Sequence, residues 1–256
     1  MTATYLFAEV PVEISSVYDE VHLMCAEYRT DLEAVIHVSV SLDEIIEEGK
    51  ISDRQRESEG LPPYHYQPGY LETLTVYRKI ATEMLDRGVL LMHGSVIAVD
   101  GEAYLFTALS GTGKSTHVRL WRKMFGTRAV MVNDDKPLVR VTPLQASDQE
   151  AFQPLVYGTP WDGKHHLSNN IAMPLKAIIY LERGSGNEIH EVDAQWIFPV
   201  LIQQTFRPQN PVGAIQSMQL LGQLAERVKF YDLHCNMDPE AAAVAYRGMN
   251  SNKDIE

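Results

Sequence analysis

The sequence predicts an α/β protein with a mixed β-sheet, preceded by a small N-terminal α+β region. Short apolar runs typical of strands alternate along the chain with stretches in which apolar residues recur at helical spacing. A loop with two glycines, residues 108–114, lies between one such run and one such helix. The chain has 256 residues, enough for one large domain with a small appendage. We therefore expect an N-terminal region at 1–70 and a main domain at 71–256.

The N-terminal region reads as strand, helix and strand. Residues 4–14 alternate between apolar and polar, residues 16–29 have apolar positions at helical spacing, and residues 34–42 alternate again. Residues 43–69 are charged and then rich in proline, glycine and tyrosine, which predicts an exposed linker or a small ribbon. Since this region has no evident chemistry of its own, we expect it to be a docking surface for an acceptor.

The main domain reads as alternating helices and strands around the loop. The pattern predicts a helix at 71–88, a β-hairpin over 89–108 that turns at Asp100-Gly101, a helix at 115–126, a strand at 129–135, a loop at 158–170, a strand at 175–184, helices at 192–206 and 211–229, a strand at 230–234 and a helix at 238–248. This order of elements is typical of an α/β domain.

Composition excludes several classes of protein. The net charge is -12 and no basic stripe is present, so we expect no nucleic-acid partner. No apolar run reaches the roughly 18 residues that a membrane span requires, so no membrane partner is expected. The N-terminus is acidic where a signal peptide would be basic, which favours a cytoplasmic location. The two cysteines are far apart, which argues against a disulfide framework.

The segment "SGTGKST" has the residue types of a phosphate-binding loop. Gly111 and Gly113 allow positive φ and a close approach of the backbone to an anion, and the helix that follows directs its N-terminal N–H groups to the same place. Lys114 can reach the β and γ phosphates, and the Ser115 hydroxyl can ligate Mg²⁺. Ala108 stands where the pattern G-x-x-x-x-G-K-[ST] has its first glycine. Alanine is acceptable there if its φ is negative.

Two further pieces belong to the same predicted site. The apolar run "VMVN" ends in Asp134 and Asp135, the arrangement that places a carboxylate beside the metal of such a loop. Adjacent strand residues point to opposite sides, so one carboxylate can serve the metal while the other faces an acceptor. The predicted hairpin brings His93 to the loop end of the sheet. His93 is either a metal ligand or the acid/base partner of Asp134.

The sequence signals for residues that would face the phosphoryl acceptor are less specific than those for the phosphate-binding loop. The polar segment "YGTPWDGKHHLSNN" is the best candidate for an acceptor or capping loop, with Lys164 and Asn169 as its candidate residues. Lys164 either neutralises phosphoryl charge or is simply solvated. Arg207 is a candidate for an arginine that closes over the γ phosphate. His117 and Trp121, on the helix after the loop, are predicted to be packing residues.

The His93 strand, the loop and the Asp–Asp pair together resemble the family that unites HPr kinase/phosphorylase with phosphoenolpyruvate carboxykinase. The likeness covers residues 88–140 well, 155–210 loosely and 1–75 not at all. It implies a P-loop core with a mixed β-sheet, and ATP and Mg²⁺ as cofactors. It implies that the phosphates are held by Ser110, Gly111, Thr112, Gly113, Lys114, Ser115 and Thr116.

The resemblance also implies roles for the remaining residues. Ser115 and Asp135 would hold the metal, Asp134 would take the acceptor proton, and His93 would assist Asp134 or ligate a second metal. The expected activity is transfer of the γ-phosphoryl of ATP to a hydroxyl of a peptide or protein serine, or of a small molecule. The alternatives are a nucleotide-binding regulatory module without transfer and a carboxykinase-type lyase. Assembly into a homo-oligomer, the acceptor and the choice among ATP, GTP and pyrophosphate stay open.

Overall fold

The structure of the chain is a computed structural model that describes residues 1–58, 60–143 and 152–250. Contacts between residues divide the chain into two compact units, an N-terminal unit at Met1–Met84 and a C-terminal unit that begins at Leu85. The sequence placed this boundary after residue 70. The difference concerns a single helix, Pro68–Met84, which belongs to the N-terminal unit.

The described residues of the N-terminal unit form a three-stranded sheet and three α-helices. Its elements are β1 (Thr2–Phe7), β2 (Val10–Ser15), α1 (Glu20–Met24), β3 (Ile36–Ser39), α2 (Leu42–Ser58) and α3 (Pro68–Met84). β2 pairs with β1 antiparallel and with β3 parallel. The single strand expected over residues 4–14 is a hairpin, because Ala8 and Glu9 adopt positive φ values of 46° and 63° and reverse the chain.

Two features of this unit correct the sequence interpretation. The expected linker is wrong over Leu42–Ser58, which is helical. Ser41 and Glu44 form a reciprocal cap at its start: the Ser41 N–H donates to the Glu44 carboxylate at 2.9 Å, and the Glu44 N–H donates to the Ser41 hydroxyl at 3.4 Å. Helix α3 packs against α1, α2 and β3 and therefore belongs to the N-terminal unit.

The C-terminal unit is a mixed α/β domain, as the sequence predicts. Its strands are β4 (Val89–Leu91), β5 (Ser95–Val99), β6 (Glu102–Thr107), β7 (Ala129–Asn133), β8 (Leu138–Arg140), β9 (Leu155–Tyr157), β10 (Ala172–Arg183), β11 (Glu188–Val192) and β12 (Lys229–Cys235). Its helices are α4 (Lys114–Phe125), α5 (Ala194–Gln204), α6 (Pro211–Ala225) and α7 (Glu240–Met249). The described strands form one mixed sheet.

Strand directions bring several chain segments to the same edge of this sheet. β10 pairs parallel with both β6 and β12, while β5 pairs antiparallel with both β6 and β7. The carboxyl ends of β6, β7, β10 and β12 and the start of β5 therefore lie at one edge, which we call the carboxyl edge. The predicted turn between β5 and β6 is confirmed, with positive φ at Asp100 and Gly101.

Two apolar clusters cover the faces of the sheet. Alternate residues of the central strands enter different clusters, as Leu105 and Tyr104 do on β6. One cluster includes residues of α5 and α6, and the other includes residues of α4 and α7. The prediction that His117 and Trp121 are packing residues is confirmed, because both are buried and Trp121 Nε1 donates to His117 Nε2 at 3.0 Å. No helix in the described ranges combines the length and apolar character needed to cross a membrane.

Candidate functional site

The loop at residues 108–113, here called the glycine loop, connects β6 to α4 at the carboxyl edge. Ala108 is buried and does not adopt a positive φ, so an alanine is tolerated where the sequence pattern has a glycine. Gly111 and Gly113 have φ values of +76° and +130°, conformations that side chains strongly disfavour. A Cβ built at either glycine meets nothing within 4 Å. The backbone conformation, rather than crowding, therefore requires glycine at both positions.

The N-terminus of α4 is left without a side-chain cap. Gly113 is the N-cap residue, and the first turn of the helix contains no acidic residue. Unpaired N–H groups and the helix dipole make such an end suited to an anion. Lys114 Nζ donates to the carbonyl oxygen of Ala108 at 3.1 Å. Partial burial lowers the pKa of Lys114, and the Asp135 carboxylate acts in the opposite direction.

Arg183, at the end of β10, donates two hydrogen bonds to the backbone of the glycine loop. Its Nη2 donates to the carbonyl oxygen of Gly111 at 2.7 Å, and its Nε donates to that of Thr112 at 3.1 Å. A cleft of about 380 Å³ lies between Leu109–Thr112 and Tyr180–Arg183. The sequence interpretation missed Arg183, because its contact depends on the parallel pairing of β10 with β6.

His93 lies just before β5 and is fixed by the end of α5. Its Nδ1 lies 2.9 Å from Gln204 Oε1, and its backbone N–H donates to the Gln204 carbonyl oxygen at 2.7 Å. With the amide oxygen of Gln204 as acceptor, Nδ1 carries the proton and Nε2 presents a lone pair. Nε2 lies 3.4 Å from Asp135 Oδ1. Burial and the Lys114 ammonium lower the pKa of His93, and Asp135 opposes them.

The two aspartates diverge because Asn133 shapes the turn after β7. Asn133 is buried, and its Oδ1 accepts hydrogen bonds from the N–H groups of Asp135 at 2.9 Å and Lys136 at 2.7 Å. Its Nδ2 donates to the Thr159 carbonyl oxygen at 3.0 Å. An asparagine that hydrogen-bonds the backbone two residues ahead is a known turn former, so a local signal for this turn was present in the sequence.

Asp134 faces the polar loop at 158–170. Only 6% of the residue is exposed, and its Oδ1 accepts a hydrogen bond from the Gly163 N–H at 2.6 Å. A Cβ at position 163 would lie 3.0 Å from Asp134 Oδ2, so glycine is what allows this approach. Burial raises the pKa of Asp134, and the Asp162 and Asp135 carboxylates add to this. The Gly163 hydrogen bond and His165 act in the opposite direction.

The carboxyl edge thus collects the glycine loop, His93, Asp134 and Asp135. Of the predicted acceptor residues, Asn169 donates from Nδ2 to the Met131 carbonyl oxygen at 2.8 Å, which ties it to the backbone of β7. Lys164 is exposed beside Gly163, and Arg207 is exposed after the segment that pairs with β4 through Phe206 N–H and Leu91 O at 2.9 Å. The remaining residues of the predicted phosphate-binding segment lie as follows: Ser110, in the loop, and Ser115, in the first turn of α4, are exposed, Thr116 is partly buried, and the Thr112 hydroxyl donates to the Leu109 carbonyl oxygen.

The chain therefore has a mixed α/β fold, and polar residues lie together at the carboxyl edge of its larger sheet. A scan against models of known protein families finds no match, and a search of curated proteins finds none either. The resemblance to the HPr kinase/phosphorylase and phosphoenolpyruvate carboxykinase family therefore stays a prediction that rests on the residues themselves.

Proposed function

We propose that this chain is a P-loop phosphotransferase that moves the γ-phosphoryl of ATP to a hydroxyl of a peptide or protein serine, or of a small molecule. The observation that supports this most is the meeting of three features at one sheet edge. These are the glycine loop, a helix without a side-chain cap that begins with Lys114, and the imidazole of His93, which lies 3.4 Å from the carboxylate of Asp135. Phosphoryl transfer needs an anion cradle, a cation and a metal-binding carboxylate at one place.

The residues around Asp135 fit a divalent cation. With Nδ1 donating to Gln204, the Nε2 lone pair of His93 faces an oxygen of Asp135, and two acceptors facing each other call for a cation or a proton between them. We propose that Asp135 and the Ser115 hydroxyl hold Mg²⁺, with His93 as their neighbour. The ion, when bound, supplies positive charge that stabilises the phosphates as the bond to the leaving group breaks.

The chain's own residues supply the remaining steps. The N–H groups of the glycine loop and the Lys114 ammonium hold the phosphates in line with the acceptor. The acceptor hydroxyl oxygen forms a bond to the γ phosphorus while the bond to the bridging oxygen breaks, and the hydroxyl proton passes to the Asp134 carboxylate. The raised pKa of Asp134 makes its carboxylate a stronger base than an exposed aspartate.

A second candidate is a nucleotide-binding module that transfers nothing. One observation favours it: Asp134 is almost fully buried and already accepts the Gly163 N–H, contacts that a purely structural carboxylate would also make. The two candidates differ in what Asp134 does after nucleotide has bound, so they can be separated by experiment.

The test measures ADP production and nucleotide affinity for a matched pair of variants. Ser/Thr peptides and hydroxyl-bearing metabolites are screened as acceptors with the wild-type chain. We expect Asp134→Asn to lower kcat by about 10²–10⁴-fold while the affinity for Mg²⁺-ATP stays the same. Asp135→Asn should instead weaken Mg²⁺-dependent binding of ATP.

Two outcomes would contradict these assignments. If Asp134→Asn transfers phosphoryl at the wild-type rate, Asp134 is not the base. If ATP binds but no acceptor increases ADP production above the rate with ATP alone, the nucleotide-binding module becomes the better description.

A further inference from the structure

A second polar cluster lies at the carboxyl edge and shares no residue with the proposed phosphoryl-transfer site. Glu182 is on β10, and Asp232 and His234 are on β12. The parallel register pairs Tyr180 with Asp232 and Glu182 with His234. Residues two apart on a strand share a face, so the side chains of Glu182, Asp232 and His234 lie on one side of the sheet. Two strands of the central sheet therefore fix their relative positions.

The two distances from His234 to the carboxylates of this cluster match those between the ligands of a metal ion. His234 Nε2 lies 3.1 Å from Asp232 Oδ2 and 3.5 Å from Glu182 Oε2. One ligand atom from each of the three residues lies within 4.8 Å of the other two. Zinc bonds of about 2.0–2.1 Å place the ligands of a tetrahedral site roughly 3.3 Å apart, a value that the two measured separations bracket.

An unpaired oxygen gives a second, independent indication. Asp232 Oδ1 is inaccessible to solvent and has no hydrogen-bond partner in the part of the chain that the structure describes. A buried carboxylate oxygen without a donor is unfavourable, and a bound cation would satisfy it. The side chain of Asp232 as a whole is only 14% exposed, so bulk water reaches it poorly.

The charge around the cluster is not balanced by protein groups. Among the described residues, Glu182 and Asp232 form ion pairs only with the shared imidazole of His234. Arg183, the adjacent cation in the sequence, donates to the carbonyl oxygens of the glycine loop instead.

We propose that Glu182, Asp232 and His234 form a binding site for a divalent transition-metal ion of the Zn²⁺ type. Two carboxylates and a neutral imidazole give a donor set that suits Zn²⁺ and balances its charge. Glu182 also lines the cleft beside the glycine loop, so a remaining coordination position is available to water from that cleft. The inference does not rest on the proposed phosphoryl transfer, because it uses none of the residues assigned to it.

The test is a metal titration of the full chain without nucleotide. The protein is stripped with a chelator and titrated with Co²⁺, whose visible absorption reports its coordination, and the bound Co²⁺ is then displaced with Zn²⁺. We expect a single tight site in the wild-type chain. Both Glu182→Gln and His234→Ala should weaken binding by at least about tenfold, since even partners outside the ligand set commonly contribute that much.

Two control variants define the site. His37→Ala removes an exposed histidine on β3 of the N-terminal unit, where it lies 3.1 Å from Glu13, and should leave Co²⁺ binding unchanged. Asp135→Asn removes the carboxylate of the proposed Mg²⁺ position and should also leave it unchanged. Loss of the Co²⁺ signal in Asp135→Asn alone would place the ion at the other site and overturn the proposal.

A thermal measurement covers the case in which a variant folds poorly. The side chain of Glu182 is 42% exposed, so Glu182→Gln should unfold at the same temperature as the wild-type chain when both are stripped of metal. Zn²⁺ should then raise the Tm of the wild-type chain and not that of Glu182→Gln. Equal Co²⁺ affinities, or equal Zn²⁺ effects on Tm, in the two proteins would refute the site.

Discussion

At the scale of single residues, Asp134 combines an unfavourable environment with a strong local contact. Burial and two nearby carboxylates raise its pKa, while the 2.6 Å hydrogen bond from the Gly163 N–H partly compensates. A carboxyl group whose pKa is higher in the folded state binds its proton more tightly there, so stability is lost as the pH rises through that pKa. At neutral pH the ionised Asp134 therefore lowers the free energy of unfolding.

Asp134→Asn should consequently stabilise the protein at neutral pH. The asparagine Oδ1 can still accept the Gly163 N–H, while the cost of burying a charge disappears. The gain in Tm over the wild-type chain should shrink as the pH falls towards about 4, near the ordinary pKa of aspartate, because Asp134 is then protonated too. Thermal unfolding followed across this pH range checks the prediction.

The exposed Asp31 provides the control for this experiment. Asp31→Asn should change Tm little at any pH, since Asp31 is exposed. A neutral-pH Tm of Asp134→Asn below that of the wild-type chain would mean that the lost carboxylate contacts outweigh the relief of burial. Asp134→Asn is also expected to lose phosphoryl transfer, so stability should rise while activity falls.

The sequence predicted that His93, Lys114 and Asp135 lie at one site, because a short hairpin and a loop pattern fix their positions locally. It did not find Gln204 or Arg183. Their contacts to His93 and to the glycine loop depend on long-range packing of α5 and parallel pairing of β10, which a single sequence does not reveal. Motifs therefore predicted the residues proposed to touch ligand, and missed those that hold them in place.

At the scale of elements, the glycine loop is held between a helix and a strand that are distant in sequence. The guanidinium of Arg183 only donates hydrogen bonds, and its donors lie in one plane. It can therefore donate to the carbonyl oxygens of Gly111 and Thr112 at once. Trans peptide geometry then directs the N–H group of Gly113 to the opposite side of the loop. The end of β10 thus orients the backbone on which the proposed anion cradle depends.

Replacing Arg183 should weaken nucleotide binding without unfolding the domain. We expect Arg183→Ala to raise the Kd for Mg²⁺-ADP by about tenfold, because an exposed arginine contributes only part of the strength of a charge-assisted hydrogen bond. Arg183→Lys should recover only part of the affinity, since the flexible ammonium of lysine lacks the fixed planar pair of donors that the guanidinium offers to two carbonyl oxygens. Calorimetric titration measures the Kd values, and the exposed Arg122 in the last turn of α4 supplies the control, Arg122→Ala. Equal affinity of Arg183→Ala and the wild-type chain would exclude a positioning role.

The predicted elements were most accurate where a periodic pattern was long. Helix α4 and strands β6, β10 and β12 lie close to their expected positions, because each has a continuous apolar pattern. The turn at Ala8 and Glu9 was missed, since neither residue is typical of a tight hairpin. Helix α2 was missed although its Ser41–Glu44 cap is visible in the sequence, because the charged residues that follow obscure the apolar pattern.

At the scale of the whole molecule, each unit has the elements of its own core. Both apolar clusters of the main sheet consist of residues from Leu85 onwards. Within the N-terminal unit, α3 packs against α1, α2 and β3 and buries residues such as Val76, Ile80 and Met84. A domain with a complete apolar core can fold without its neighbour.

The position at which the chain is shortened should therefore decide whether the C-terminal unit can be studied alone. A chain that begins at Leu85 keeps both clusters of the main sheet, and we expect it to be monodisperse and to bind Mg²⁺-ADP like the full chain. A chain that begins at residue 71 retains most of α3 without α1, α2 or β3, which exposes apolar side chains and should cause aggregation. Size-exclusion chromatography and calorimetry of both chains test this.

If the N-terminal unit docks the acceptor, the chain that begins at Leu85 should also lose phosphoryl transfer to peptides while keeping its nucleotide affinity. Failure of the chain from Leu85 to fold would show that the main sheet needs residues outside its own apolar clusters.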